Sequence, residues 1–361
     1  MAVALFLLGF VVVLALLILV HEAGHLLAAK ASGVRVPEFG LGFPPRLWGI
    51  RRGGTLYSLN AIPLGGFVKL AGEEDPTEPG SLAGKSPAVR FLVMAAGPLM
   101  NATLALVLFT ALFLVPQEVV SGQVVILAVG QGSPAERAGL QPEDIVLEVD
   151  GHRVDNHTDL QYRVALRLGA PMTWLVQRGE EKVTATVVPR FTPPEGQGAV
   201  GITLNTFNLR LERRTVGPAT AVVRAARQMG QVLVLVKNEF SRWALGGAAP
   251  EVTGPVGMAQ VFGELAQQEG FRLGERLLVT THITAIISWS LALFNILPLP
   301  ALDGGRILFV IIELARRGKR IAPAKEGMVH MMGFAVLITL AVLITFLDLQ
   351  RIVRGERLLG G

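Results

Sequence analysis

The chain has 361 residues, 51% of them hydrophobic and 17% charged, with a formal net charge of +5 and no cysteine. A charged share this far below the roughly 25% of soluble domains means that water is not its only solvent, and it removes collagen-like, coiled-coil and disordered readings. Without cysteine there is no disulfide framework, thiolate nucleophile or Cys-ligated zinc, so any metal rests on His, Asp or Glu; the basic residues, scattered in loops beside apolar runs, fit orientation in a lipid bilayer and argue against nucleic acid.

Ala2 to Val20 carries no charge, and about 20 helical residues span a hydrocarbon core of about 30 Å. It is expected to stay as a membrane helix: Met1-Ala2-Val3 offers no basic head, and the apolar run exceeds that of a cleaved secretory signal. The span closes on His21-Glu22-Ala23-Gly24-His25. On a helix, the i, i+4 spacing stacks both imidazoles on one face, where they can share one metal ion with Glu22 placed as a base. Ionisable groups at the bilayer centre cost about 2.5–3.5 kcal/mol each on insertion scales, which favours a functional reading over a cluster snorkelling at the interface.

The connection that follows holds a β segment near Thr55 to Leu70. An exposed edge there can take an extended peptide as an added strand, with Pro63, Gly65 and Gly66 shaping the turn; an ordinary amphipathic hairpin is the plainer alternative. Phe91 to Val115 is the second uncharged span.

Glu118 to Asn205 reads as a small β-rich domain, with strands expected at Val124–Val129, Ile145–Val149, Trp174–Gln177 and Val183–Val188 between Gly and Pro signals. Gly132-Ser133-Pro134-Ala135-Glu136-Arg137-Ala138-Gly139-Leu140, then Glu143-Asp144-Ile145 and Asp150-Gly151, resembles the bacterial PDZ signature, with Glu143 in place of the usual Gly. Such a domain implies an extended peptide or substrate tail as partner. Thr215 to Leu245 has the period of an amphipathic helix, followed by a loop at Gly254-Pro255-Val256-Gly257.

Leu277 to Leu302 is the third span and Gly327 to Leu347 the fourth. The third ends Asn295-Ile296-Leu297-Pro298-Leu299-Pro300-Ala301-Leu302-Asp303-Gly304-Gly305-Arg306, where two prolines must break the helix and an Asp sits at the break. Basic residues concentrate in the first connection (Lys30, Arg35, Arg46, Arg51 among them) and the third (Arg306, Arg316, Arg317, Lys319), so both should be cytoplasmic and the middle segment Pro116–Arg276 external. Arg351, Arg354 and Arg357, after the last span, count against that orientation. A hydrolytic zinc site needs three protein ligands and an open position, and Asp303 is the candidate third ligand: the first and third spans run the same way and carry their polar residues at the same depth.

HEAGH together with Leu302-Asp303-Gly304 resembles the site-2 protease family of intramembrane zinc metalloproteases. Phe39–Pro45 and Tyr57–Lys69 are similar to that family's membrane-associated β segment, Ala96-Gly97-Pro98-Leu99-Met100-Asn101 to its second conserved helix, and the single inserted PDZ-like domain to its bacterial regulator-of-sigma-E protease branch. The resemblance implies Zn2+ held by His21, His25 and Asp303, Glu22 as the catalytic base, and substrate contacts from Asn295, Gly65 and Gly66. It also implies single-pass membrane proteins as substrates, such as anti-sigma factors or remnant signal peptides, in a bacterial inner (plasma) membrane.

The expected fold is a polytopic α-helical membrane protein with four transmembrane helices, a membrane-associated β segment and an inserted β-rich PDZ-like domain. Residues 1–115 carry the first two helices, 116–205 the extracytoplasmic domain, 206–276 the amphipathic helix and a linker, and 277–361 the last two helices. The rival readings are a PDZ-containing membrane scaffold without catalysis and a membrane-tethered protease acting on soluble peptides.

Overall fold

The computed structural model describes residues 2–73, 75–250, 253–267 and 272–356. Among them, four helices are long and apolar enough to cross a membrane: Leu8–Ala31, Pro87–Leu114, Leu273–Ile296 and Ala324–Arg354. The chain divides into two compact units, Met1–Leu112 with Val252–Gly361 and, separately, Phe113–Glu251.

The first unit opens with α1 (Ala2–Ala31), which runs past the HEAGH motif instead of closing on it. Leu26-Leu27-Ala28-Ala29 are strong helix formers and keep the turn going. The helix stops only where Gly33 takes φ 65 and its N–H returns to the Lys30 carbonyl. Strands β1 (Glu38–Arg52) and β2 (Thr55–Lys69) follow, joined at Gly53-Gly54, whose φ values of 56 and 79 suit the tight turn between antiparallel strands. Residues 38–41 pair on one side with 56–59 and on the other with 66–69, so Gly66–Lys69 forms a strand edge. Helix α2 (Pro87–Leu114) packs on α1 at a point without side chains: a Cβ on Gly24 would lie 2.3 Å from the Ala96 carbonyl oxygen. Small residues at such contacts let membrane helices approach closely. Leu26, Ala29, Val93, Met94 and Ile307 share the buried cluster around this contact.

The second unit comprises β3 (Gln117–Val129), α3 (Pro134–Arg137), β4 (Ile145–Val149), β5 (His152–Arg153), α4 (His157–Leu166), β6 (Met172–Arg178), β7 (Glu181–Val187), β8 (Ile202–Arg214) and α5 (Pro218–Ala244). The sheet order is β7-β6-β4-β3-β8, with β5 on β4, around a core that includes Trp174, Ile126, Leu160 and Met172. This β-rich unit occupies the segment expected as the PDZ-like domain, and the expected strands coincide with β3, β4, β6 and β7, apart from Val188, which lies just past β7. Strand β8 was not expected. Its apolar residues (Ile202 and Leu204, then Phe207, Leu209 and Leu211) alternate with polar ones, and it pairs along β3 from Gln117↔Arg214 to Val129↔Ile202. Glu143 sits at φ 72, the left-handed conformation that the usual glycine would adopt without strain.

The chain returns to the first unit at α6 (Pro255–Gln267), so the Gly254–Gly257 stretch expected as a loop begins a helix. Asp348 explains it: its Oδ2 accepts the Gly254 and Gly257 N–H groups at 3.0 and 2.8 Å, satisfying donors that a helix start leaves open. Helix α7 (Leu273–Ile296) ends before Pro298, α8 (Asp303–Ala315) starts on Asp303, and α9 (Pro323–Arg354) completes the unit. Arg351 and Arg354 belong to the last turn of α9, and Arg357 lies outside the described residues. Between α2 and α8, Arg90 Nη2 donates to both Glu313 carboxylate oxygens at 2.7 Å in a buried pair.

Candidate metal centre

His21 and His25 stand one turn apart on α1, and their Nε2 atoms are 3.2 Å from each other. Asp303 Oδ2, at the first residue of α8, is 3.0 Å from His21 Nε2 and 3.3 Å from His25 Nε2. The structure thus brings together two histidines and an aspartate separated by most of the sequence.

Local chemistry sets each position. His25 Nδ1 lies 2.8 Å from the Val93 carbonyl oxygen of α2. That acceptor fixes the proton on Nδ1 and turns the Nε2 lone pair toward its neighbours. Asp303 is delivered by the break between α7 and α8, where Pro298 and Pro300 lack donors and Ala301 takes φ 72. The two glycines that follow are there for space: a Cβ on Gly304 would lie 2.1 Å from the Leu297 carbonyl oxygen, and one on Gly305 would lie 2.3 Å from that of Leu299.

Three ligand atoms aimed at one point suit a cation. Two imidazole lone pairs and a carboxylate oxygen at this separation repel one another, and Asp303 Oδ2 and His21 Nδ1 are buried without a hydrogen-bond partner. Four-coordinate zinc with bonds of about 2.0–2.1 Å places neighbouring ligand atoms about 3.3 Å apart, and the triangle measured here has edges of that size. The donor set, two nitrogens and one oxygen, is that of hydrolytic zinc sites. The residues fit the metal.

A cavity of about 270 Å³ opens on the triangle. Glu22, Gly66, Phe67, Val68 and Asn295 line it together with the three metal-facing residues, and Glu73 and Arg306 pair across part of its wall at 2.9 Å. Gly66 faces Glu22 closely, since a Cβ there would be 3.3 Å from Glu22 Cγ. Gly65 is not among the lining residues: its φ is 132 and a Cβ would strike the Phe43 ring, so it shapes the strand. Asn295 Nδ2 donates to the Leu291 carbonyl of its own helix at 3.0 Å while the residue lines the cavity.

Sequence reasoning missed Gly97. A Cβ at that position would lie 2.3 Å from His25 Nε2 and 2.8 Å from His21 Nε2, so the missing side chain leaves room at the triangle. The available signal was a Gly-Pro pair inside an otherwise apolar span. Three other histidines have local partners: His282 meets Phe109 edge to face with ring centroids 5.8 Å apart, His157 Nδ1 meets Thr206 Oγ1 at 2.9 Å, and His152 Nδ1 meets the Asp150 carbonyl at 2.8 Å.

Comparison with known proteins agrees with this chemistry. A provisionally named zinc metalloprotease of Clostridium perfringens is 35% identical over 338 residues, covering 92% of this chain and 95% of its own. One from Rhizobium meliloti, also provisionally named, is 32% identical over 367 residues, covering 94% and 95%. The zinc metalloprotease RasP of Geobacillus kaustophilus is 27% identical over 430 residues, covering 95% and 97%. A PDZ domain of an SdrC-like protein from Listeria monocytogenes aligns with 22% of the chain and 85% of its own length at 21% identity and a TM-score of 0.21, too low to bear on the fold. The pattern of peptidase family M50 runs over residues 9–340, through both halves of the metal triangle. The chain belongs to peptidase family M50, the site-2 protease family, and is a zinc metalloprotease.

Proposed function

We propose that this M50 protease cuts peptide bonds within the transmembrane segments of other membrane proteins, single-pass proteins above all, with His21, His25 and Asp303 holding zinc and Glu22 moving the proton. The observation that carries this reading is the triangle of His21 Nε2, His25 Nε2 and Asp303 Oδ2, whose edges are 3.0, 3.2 and 3.3 Å, with both histidines inside a helix apolar enough to cross a membrane.

Zinc held there supplies Lewis acidity to the scissile carbonyl and lowers the pKa of water to about 7. Glu22, on the cavity wall, takes the proton of the attacking water and passes it to the leaving amine. A helical substrate hides its amides in i→i−4 bonds and must unwind to be cut, so the freed groups need new partners. The edge of Gly66–Lys69, which lines the cavity through Gly66, Phe67 and Val68, supports a substrate strand added to β2. Gly65 sets the bend that exposes this edge, and the Asn295 amide is near enough to the cavity to bond the substrate backbone.

In the second unit, the cavity of about 530 Å³ between α4 and residues 199–204 suits an extended peptide, and we assign it to a substrate tail. By the distribution of basic residues, this domain faces outward and the metal centre lies toward the cytoplasm of a bacterial inner membrane. Replacing Glu22 with Gln should abolish cleavage of a transmembrane reporter while zinc content and membrane insertion stay unchanged. Undiminished proteolysis by Glu22→Gln contradicts the assignment.

A further inference from the structure

The loop that presents Asp303 has little of its own to hold it. Pro298 and Pro300 have no N–H, and the backbone donors of Leu297, Leu299 and Leu302 return only to residues 294–299. Ala301, two residues before Asp303, is held at φ 72, a conformation costly for a residue with a Cβ. Its N–H leaves the loop and donates to His330 Nδ1 of α9 at 2.9 Å. One turn further along α9, Gly333 lets the helix backbone press on the same loop, because a Cβ there would lie 2.3 Å from Pro300 Cβ and 2.8 Å from the Pro300 carbonyl oxygen. The His330 ring also packs at a tilt against Phe309 of α8, with centroids 5.4 Å apart.

We infer that His330 and Gly333 are positioning residues: α9 clamps the Pro298–Leu302 loop through one hydrogen bond and one close backbone contact, and so fixes the third corner of the metal triangle. The inference rests on Asp303 being a zinc ligand. His330 touches neither metal nor substrate and acts through Ala301. To accept the Ala301 N–H, Nδ1 must carry a lone pair, so what the position requires is an acceptor at the δ atom. Asparagine places its Oδ1 at that atom, glutamine places its oxygen one bond too far, and leucine offers none.

The test uses the full chain purified in detergent, loaded with zinc, and reads zinc release to a chelator together with kcat and KM on a transmembrane substrate. His330→Leu should release zinc about 10–100-fold faster and lower kcat by a similar factor with little change in KM, the range seen when groups that orient a metal ligand are removed. His330→Asn should restore both readings to within a few-fold of the parent, and Gly333→Ala should reproduce the loss by pushing on Pro300. If His330→Leu does not accumulate as folded protein, His330→Asn against His330→Gln decides, with only the former near parental. Parental zinc retention and kcat in His330→Leu, or equal defects in Asn and Gln, overturn the inference. Asp303→Ala in the same assay separates the two levels: if it loses zinc while His330→Leu does not, only the clamp fails, and if it keeps zinc, the assignment of Asp303 as ligand fails.

Discussion

At position 97 a single methyl group would reach the metal triangle, since the Cβ of an alanine there falls 2.3 Å from His25 Nε2. The backbone of α2 cannot retreat, because its Val93 carbonyl also orients the His25 ring at 2.8 Å. Gly97→Ala should therefore lower zinc affinity by at least about 10-fold while the helices still insert, measured as zinc per polypeptide after dialysis against a weak chelator. The juxtaposition of the two histidines was legible in the sequence because i, i+4 spacing is a local property of any helix. Asp303 was legible only beside HEAGH, because an aspartate at a proline-broken helix end serves equally well as a turn residue when taken alone. Gly97 was not, since its contribution is empty space that exists only once α1 and α2 are side by side.

The elements show the same division between local and tertiary causes. Apolar runs announced the four long helices, and the prolines announced the break between α7 and α8. The length of α1 was underestimated because charge, and not helix propensity, set the expected end. Strand β8 and helix α6 depend on distant partners, β3 in one case and Asp348 in the other, which neither segment names in its own sequence. Asp348 is buried on α9 and accepts both N–H groups at the start of α6, and a Cβ on Gly257 would lie 2.9 Å from its Oδ1, so the two helices meet without room to spare. Asp348→Ala leaves those donors without acceptors, a cost of about 1–3 kcal/mol for each buried group. The expected result is faster hydrogen exchange at Gly254–Gln260 and a lower unfolding midpoint, while Asp348→Asn, which keeps an oxygen, loses less.

At the scale of the whole molecule, the second unit carries an acid-sensitive lock. Asp144, with no exposed side-chain surface, accepts Arg178 Nε and Nη2 at 2.8 Å and the Gln141 N–H at 2.9 Å. Burial alone would raise its pKa, but the Arg178 and Gln141 bonds outweigh it and hold the carboxyl below its ordinary value. A carboxyl lowered on folding stabilises the folded state above its unfolded pKa of about 3.9, and that contribution is lost as pH falls through the folded value. Acidification below about pH 4 should therefore loosen the second unit, read as rising hydrogen exchange in β4 and β6 of the full chain, and Arg178→Gln, which removes the partner that lowers this carboxyl, should raise exchange already at neutral pH and weaken its dependence on acid.

The first unit converges on the metal triangle, and X-ray absorption of the zinc-loaded full chain tests that centre directly. Its spectrum should fit two imidazole ligands plus light oxygen scatterers at about 2.0–2.2 Å. Asp303→Ala and His21→Ala, prepared in the same way, should each lose most of the zinc and with it the parental spectrum. An imidazole count other than two, or an Asp303→Ala spectrum identical to that of the parent, would contradict a centre built from His21, His25 and Asp303.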